Sequence, residues 1–275
     1  MRWLLLVIVA LGLTGCAGFL FFPQKPYVLT PDKIGLKYEQ VTLTTREGLK
    51  LKAWFLPAKG QAKATVLHLH GNAENISTHI GNVYWLPEQD FNVFLLDYRG
   101  YGASQGKANL DGVHEDARAA LDYLVARKDI PPNKIIVFGQ SLGGAIAIFT
   151  VAHTTHRDQI KAMVVESSLS DYRKITREKL SSFWLTWPLQ WPLSYTMPDL
   201  YSPLAVVDKI SPIPFLIIHG DNDPIVPLHH GQRLFNAAKE PKQMWLVKGG
   251  AHTQATGKQE YRKRLIDYFE EVLKN

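Results

Sequence analysis

One cysteine stands among 275 residues, and it is Cys16. A chain without a cysteine pair has no disulfide framework, so its core must hold by packing alone. No run of five like charges interrupts the mixture of 31 Lys and Arg with 25 Asp and Glu. The net charge of +6 is therefore spread out, which argues against a nucleic-acid partner and leaves mild attraction to an anionic membrane surface. The apolar run from Leu4 to Leu13 is too short to span a bilayer comfortably. Neither a long-period repeat nor a low-complexity segment is visible. What remains is an ordinary globular composition, 46% hydrophobic and 20% charged, sized for one large α/β domain.

The amino terminus follows a different pattern. Met1 and Arg2 form a short positive region, Leu4–Leu13 an apolar region, and small residues follow, as in a secretory signal. The next residues, "LTGC", resemble a bacterial lipobox, which implies that Cys16 becomes the acylated first residue. Ala17 rather than Asp after it resembles the sorting pattern for the outer membrane. An uncleaved signal anchor or a buried first strand are the alternatives.

From residue 38 onward the chain alternates. "YEQVTLTT" and "LKLKAWFLP" predict an antiparallel hairpin around Arg46-Glu47-Gly48. Buried-strand runs follow at 65–70, 92–97, 134–139, 161–166, 214–220 and 243–249, with helical patterns at 109–128, 142–153, 228–239 and 258–275. Continuously apolar strands alternating with helices predict a mostly parallel sheet covered on both faces.

In such a sheet, reactive groups sit beyond the carboxyl ends of the strands. "GQSLG" (Gly139–Gly143) falls at one of these ends, between a strand run and an alanine-rich helix. A sharp strand-to-helix turn there forces Ser141 into a strained conformation and needs glycine where a Cβ would clash. The helix begins at Leu142, so its free N–H groups face any oxyanion formed beside Ser141. A serine nucleophile needs a base, and the base needs an orienting acid. Of ten histidines, His252 in "KGGAHT" lies just past the last strand run. His70 and His219 read as loop-shaping, His68 as a core residue, and His229 and His230 as solvated rather than metal-binding. His79, His114, His153 and His156 show no partner pattern. For the acid, Asp221, Asp223 and Glu166 all keep the chain order serine, acid, histidine. Register within "HGDNDPIVP" favours Asp223.

Together "LHLHGNAENI", "LLDYRGYGASQG", "GQSLGG", "IIHGDNDPIVP" and "GGAHT" resemble the α/β-hydrolase superfamily, in its membrane-associated branch related to serine-aminopeptidase-like hydrolases and protein depalmitoylases. The resemblance covers the chain from about residue 38 to its end. It implies an eight-stranded, mostly parallel sheet with helices on both faces and a small cap, and it puts the acid on Asp223. It also implies an oxyanion hole made by the backbone of Asn72 and Leu142. "DYRGYGAS" would shape a neighbouring loop without chemistry of its own. Gly250-Ala251-His252 departs from the usual Gly-x-Gly-His approach to the base.

The expected organisation is a lipoprotein signal peptide over 1–15, a tether over 16–37, and a hydrolase domain over 38–275 with a cap insertion at about 171–210. Residues 183–203 hold three of the seven tryptophans and four prolines, so the cap is expected to consist of short rigid pieces. Trp187 and Trp191 are expected to line an acyl pocket or to meet a membrane interface. The resulting expectation is a serine hydrolase of carboxyl esters or thioesters using Ser141, His252 and Asp223, with no metal or organic cofactor. It would be held by a lipid anchor at the periplasmic face of the cell envelope, favouring the outer membrane. Peptide or amide cleavage is the alternative chemistry, and a non-catalytic envelope scaffold the alternative class.

Overall fold

The computed structural model describes residues 20–274. The signal region and Cys16 lie outside the described residues. The strands are β1 (Phe22–Pro23), β2 (Glu39–Thr44), β3 (Lys50–Leu56), β4 (Ala64–Leu69), β5 (Ala73–Glu74), β6 (Phe91–Leu96), β7 (Ile135–Gln140), β8 (Ile160–Glu166), β9 (Phe215–Gly220) and β10 (Lys242–Val247). Eight of them form one sheet in the order β10-β9-β8-β7-β4-β6-β3-β2. The six from β6 to β10 in that order are mutually parallel. The predicted hairpin β2–β3 is antiparallel and extends the sheet from β6.

β4, β6, β7 and β9 are buried along their whole length. Their residues alternate between two apolar clusters, with Leu67, Leu69 and Val137 on one face and Val66, Ile136 and Phe138 on the other. This is why the runs read as continuously apolar rather than alternating. The helix Leu110–Ala126 starts one residue later than its pattern because Asn109 caps it, its side chain accepting from the Gly112 N–H at 2.8 Å. The helix Leu142–His153 is apolar around most of its circumference and correspondingly buried.

The expectation of a tether over residues 16–37 fails from Leu20 onward. β1 pairs with β5 in a small parallel sheet of its own. The Phe22 N–H donates to Asn72 O at 2.8 Å and the Gln24 N–H to Glu74 O at 3.0 Å. Asn75 Nδ2 donates in turn to the carbonyls of Gln24 and Pro26, and Phe21 is buried. A proline-interrupted strand of two residues has no period to read, so composition alone suggests a linker.

Asp97, fully buried at the end of β6, anchors this segment by accepting from the Tyr27 hydroxyl at 2.8 Å and the Ile76 N–H at 2.9 Å. Burial pushes its carboxyl up from 3.8 to about 7, against these two bonds and the charge of Lys25. The folded protein therefore holds a proton there that the unfolded chain has released, so this group's stabilisation is full below pH 3.8 and is lost as pH rises to about 7. We expect Asp97→Asn to flatten the pH dependence of stability between these limits, each unit of lost shift being worth about 1.4 kcal/mol. Urea unfolding at a series of pH values reads this directly; an unchanged slope would show that Asp97 does not titrate in that window.

Candidate active site

Ser141 sits at φ 53° and ψ −120°, a left-handed backbone that a residue with a Cβ rarely adopts. Packing enforces it. The helix after the serine lies so close to the strand ends that a Cβ on Gly139 would overlap Gly143 and Gly144, and one on Gly143 would overlap the carbonyls of Leu69 and His70. The Ser141 N–H donates to Glu166 O at 2.9 Å, which fixes the turn against the neighbouring strand. Its Cβ lies beside Gly71 of the loop after β4.

The loops after β9 and β10 bring Asp223 and His252 together, with His252 Nδ1 2.8 Å from Asp223 Oδ2. Asp223 Oδ1 accepts from the N–H groups of Ile225 and Val226, both at 2.9 Å. Burial alone would raise this carboxyl, but the bond to His252, its charge and the two amides outweigh burial and hold it below the ordinary range. An ionised carboxylate can only accept. The imidazole proton therefore resides on Nδ1, leaving the Nε2 lone pair free to act as a base. A close approach of the loop bases supports this arrangement, since a Cβ on Gly220 would overlap the Gly250 carbonyl.

The other two acids are occupied elsewhere. Asp221 is exposed and accepts from the Gly249 N–H at 2.7 Å. Glu166 is buried, which pushes its carboxyl up, and its oxygens accept from Gln140 Nε2 and the Ala255 N–H, both at 2.7 Å. His68 is a core residue bonded to Gln140, and His219 Nε2 donates to Val226 O at 2.8 Å.

Asn72 follows β4 and Leu142 opens the helix beyond Ser141. Neither N–H donates to an acceptor among the described residues. The Asn72 carbonyl is held on the other side by two donors, the Phe22 N–H at 2.8 Å and the Tyr101 hydroxyl at 2.6 Å. Tyr101, within the "DYRGYGAS" stretch from which no chemistry is expected, is therefore a supporting residue. Its cue was a second aromatic in a glycine-rich loop that already carried Tyr98.

Ser141, Leu142 and Asn72 open onto a cavity of about 700 Å³. Its apolar walls come from Leu20 and Phe22 of the docked segment, Leu193 and Met197 of the cap, and Ile225 and Val226 beside the acid. Trp187 and Trp191 do not line it, which corrects the expectation of a pocket role. Pro188 and Pro192 each lie in the first turn of a short cap helix, Trp187–Leu189 and Gln190–Tyr195; Leu193 and Met197 line the cavity while both tryptophans are exposed.

His230 is likewise buried rather than solvated. Its Nδ1 accepts from the Ser170 N–H at 3.1 Å, so Nε2 carries the proton and donates to Glu178 Oε2 at 3.0 Å. Burial pushes this imidazole down to about 4 despite the carboxylate. His229 meets the other Glu178 oxygen at 3.0 Å. The trio serves as a latch from the cap helix Tyr172–Ser181 to the helix His229–Ala237.

The sheet order, the strained serine turn and the loops after β9 and β10 define an α/β hydrolase. The chain belongs to the family described as serine aminopeptidase, S33, whose family model matches residues 60–209. It is 35% identical over 257 residues to YfhR of Escherichia coli K12, covering 91% of this chain and 86% of that protein. The α/β-hydrolase domain-containing protein WAV2 of Arabidopsis thaliana is 32% identical, over 90% of this chain and 83% of its own. Among solved structures, the Pyrococcus furiosus esterase Pf2001 superposes with a TM-score of 0.74 at 22% identity, covering 93% of this chain and 97% of that one, a likeness of fold.

Gly143→Ala should disturb the turn without touching a charged group. The added methyl pushes against two backbone carbonyls that cannot swing away, so a loss of about 1–3 kcal/mol in stability is expected, as for an overpacked core. Thermal unfolding of this variant beside Gly81→Ala, whose Cβ meets nothing within 4 Å, isolates the steric effect. Equal melting temperatures would contradict the packing account.

Proposed function

We propose that this protein is a serine hydrolase that cleaves carboxyl esters or thioesters. Ser141 Oγ attacks the acyl carbonyl carbon while His252 Nε2 takes its proton. The carbonyl oxygen becomes an oxyanion held by the N–H groups of Asn72 and Leu142. When the tetrahedral intermediate collapses, the bond to the leaving alcohol or thiol breaks, and His252 returns the proton to it. Water, activated by the same imidazole, then hydrolyses the acyl-enzyme. Asp223 keeps the imidazole in its Nδ1–H form and stabilises the imidazolium throughout.

The observation that carries the ester reading is the chemistry of the cavity. Among the described residues no carboxylate lines it, so none of them pairs there with the ammonium of a peptide amino terminus. The charged side chain among its described lining residues, Lys179, donates from its ammonium to Pro224 O at 3.1 Å. Walls of this kind accept an acyl chain and favour it over a charged peptide.

A panel of p-nitrophenyl esters of increasing acyl length tests the proposal on wild type and variants. Ser141→Ala should lower kcat on the order of 10⁴-fold or more with the fold intact, and Asp223→Asn on the order of 10³–10⁴-fold. Asp221→Asn should stay near wild type. A Ser141→Ala variant within tenfold of wild type would sink the mechanism, and a worse defect in Asp221→Asn than in Asp223→Asn would sink the acid assignment.

We also propose that Cys16 carries acyl chains that hold the protein at the bacterial cell envelope, at the periplasmic face and in the outer membrane rather than the inner. The "LTGC" stretch and the lone cysteine support this reading. Metabolic labelling with a palmitate analogue should mark the wild type and not Cys16→Ser, and the variant should leave the membrane fraction or persist as a precursor. An unlabelled wild type that stays membrane-bound would favour the uncleaved anchor.

A further inference from the structure

The cap turns its aromatic side chains away from the cavity it covers. Residues 180 to 198 carry no charged side chain. Within and beside that stretch Trp184 is 78% exposed, Trp187 59%, Trp191 53% and Leu200 71%, and Phe183, Leu185 and Tyr195 are exposed as well. Large apolar side chains following one another on a surface mark a face that meets something other than water.

Two observations say what that is. Cations border the rings: the Arg177 guanidinium lies 4.3 Å from the centre of the Trp191 ring and that of Arg173 lies 5.8 Å from the Tyr195 ring. Tryptophan and tyrosine bordered by arginine match the headgroup layer of a bilayer, where rings with a polar edge are favoured and anionic lipids attract the guanidinium. The second observation is where the chain enters the fold. Leu20 and Phe22 line the same cavity as Leu180, Thr186 and Leu193 of the cap. Cys16 precedes Leu20 by four residues, so the intervening chain reaches at most about 14 Å. Acyl chains on Cys16 would therefore hold the bilayer within that distance of the cavity rim.

We propose that the cap face bearing Trp184, Trp187 and Trp191 seats in the headgroup layer of an anionic lipid bilayer, placing the cavity mouth at the membrane surface. The proposal rests on the attachment through Cys16 and adds a second contact to it. An acyl chain held in the bilayer would then pass to Ser141 along Leu193, Leu20 and Phe22 without crossing bulk water. The outward rings that failed as pocket residues would be the groups that set this orientation.

The test uses the full chain carrying Trp3→Phe, so that the tryptophan upstream of the fold does not contribute, reconstituted into phosphatidylcholine–phosphatidylglycerol vesicles with or without brominated acyl chains. Rings seated about 5–10 Å into the interface should lose on the order of half their emission in brominated vesicles. Adding Trp184→Phe, Trp187→Phe and Trp191→Phe should abolish that loss while hydrolysis of a soluble short-chain ester continues. Protein that floats with the vesicles yet is not quenched would overturn the cap contact and leave the anchor standing. Quenched protein without acyl label on Cys16 would support the cap contact and overturn the anchor reading. Failure to float would overturn both. Because Trp54, Trp85 and Trp245 are shielded within the fold, the cap rings are read as the difference in emission between this protein and its triple variant: a difference spectrum already blue-shifted without lipid would mean that residues 1–19 cover the face, and one whose shift follows protein concentration would mean that a second copy does; either result overturns the proposal.

Discussion

The site depends on one close contact, the seating of the helix Leu142–His153 against the ends of β4 and β7. Gly139, Gly143 and Gly144 permit it, and the approach leaves Ser141 only a left-handed backbone. Such strain costs of order 1–3 kcal/mol and persists only where surrounding structure over-determines it. Here the determinants are the buried strands on either side and the bond from the Ser141 N–H to Glu166 O. The same contact brings the free N–H of Leu142 beside the serine hydroxyl. The position of the serine and that of the free Leu142 N–H thus follow from a single packing constraint.

A second set of contacts ties distant parts of the chain to that turn. The Phe22 N–H and the Tyr101 hydroxyl share the Asn72 carbonyl, so the docked amino-terminal segment and the loop after β6 both orient the residue that offers the other N–H. Buried Asp97 joins the two through Tyr27 and Ile76. On the opposite side Glu178 latches the cap to His229 and His230, and Lys179 reaches the loop that carries Asp223. The chain's entry into the fold and its cap are therefore mechanically part of the site.

The sequence was legible wherever a short-range pattern and a packing requirement coincide. Continuous apolar runs located the parallel strands, because strands covered on both faces leave no polar alternation. The glycines of "GQSLG" marked the turn because only close backbone approach requires them there. Register within "HGDNDPIVP" distinguished Asp223, which meets His252, from Asp221, which caps the Gly249 N–H. The misses share another cause. Residues 22–28 are held by bonds to partners some 50 to 80 positions away, as from Asn75 to Gln24 and from Lys25 to Ser104, and such bonds have no local signature. The outward face of Trp187 and Trp191 depends on how the short helices of the cap pack over the cavity, and a tryptophan reads the same whether it faces a pocket or the surface. His230 looked solvated because its partners, Ser170 and Glu178, lie on another element.

A structure of the protein with an alkyl boronic acid tests the central claim most directly, because boron bonded to a nucleophile reproduces the tetrahedral centre. The account predicts boron on Ser141 Oγ, with one boronate oxygen about 2.7–3.1 Å from the N–H groups of both Asn72 and Leu142 and the alkyl chain in the cavity beside Leu193 and Phe22. Boron on another residue, or a boronate oxygen turned away from those two amides, would contradict it.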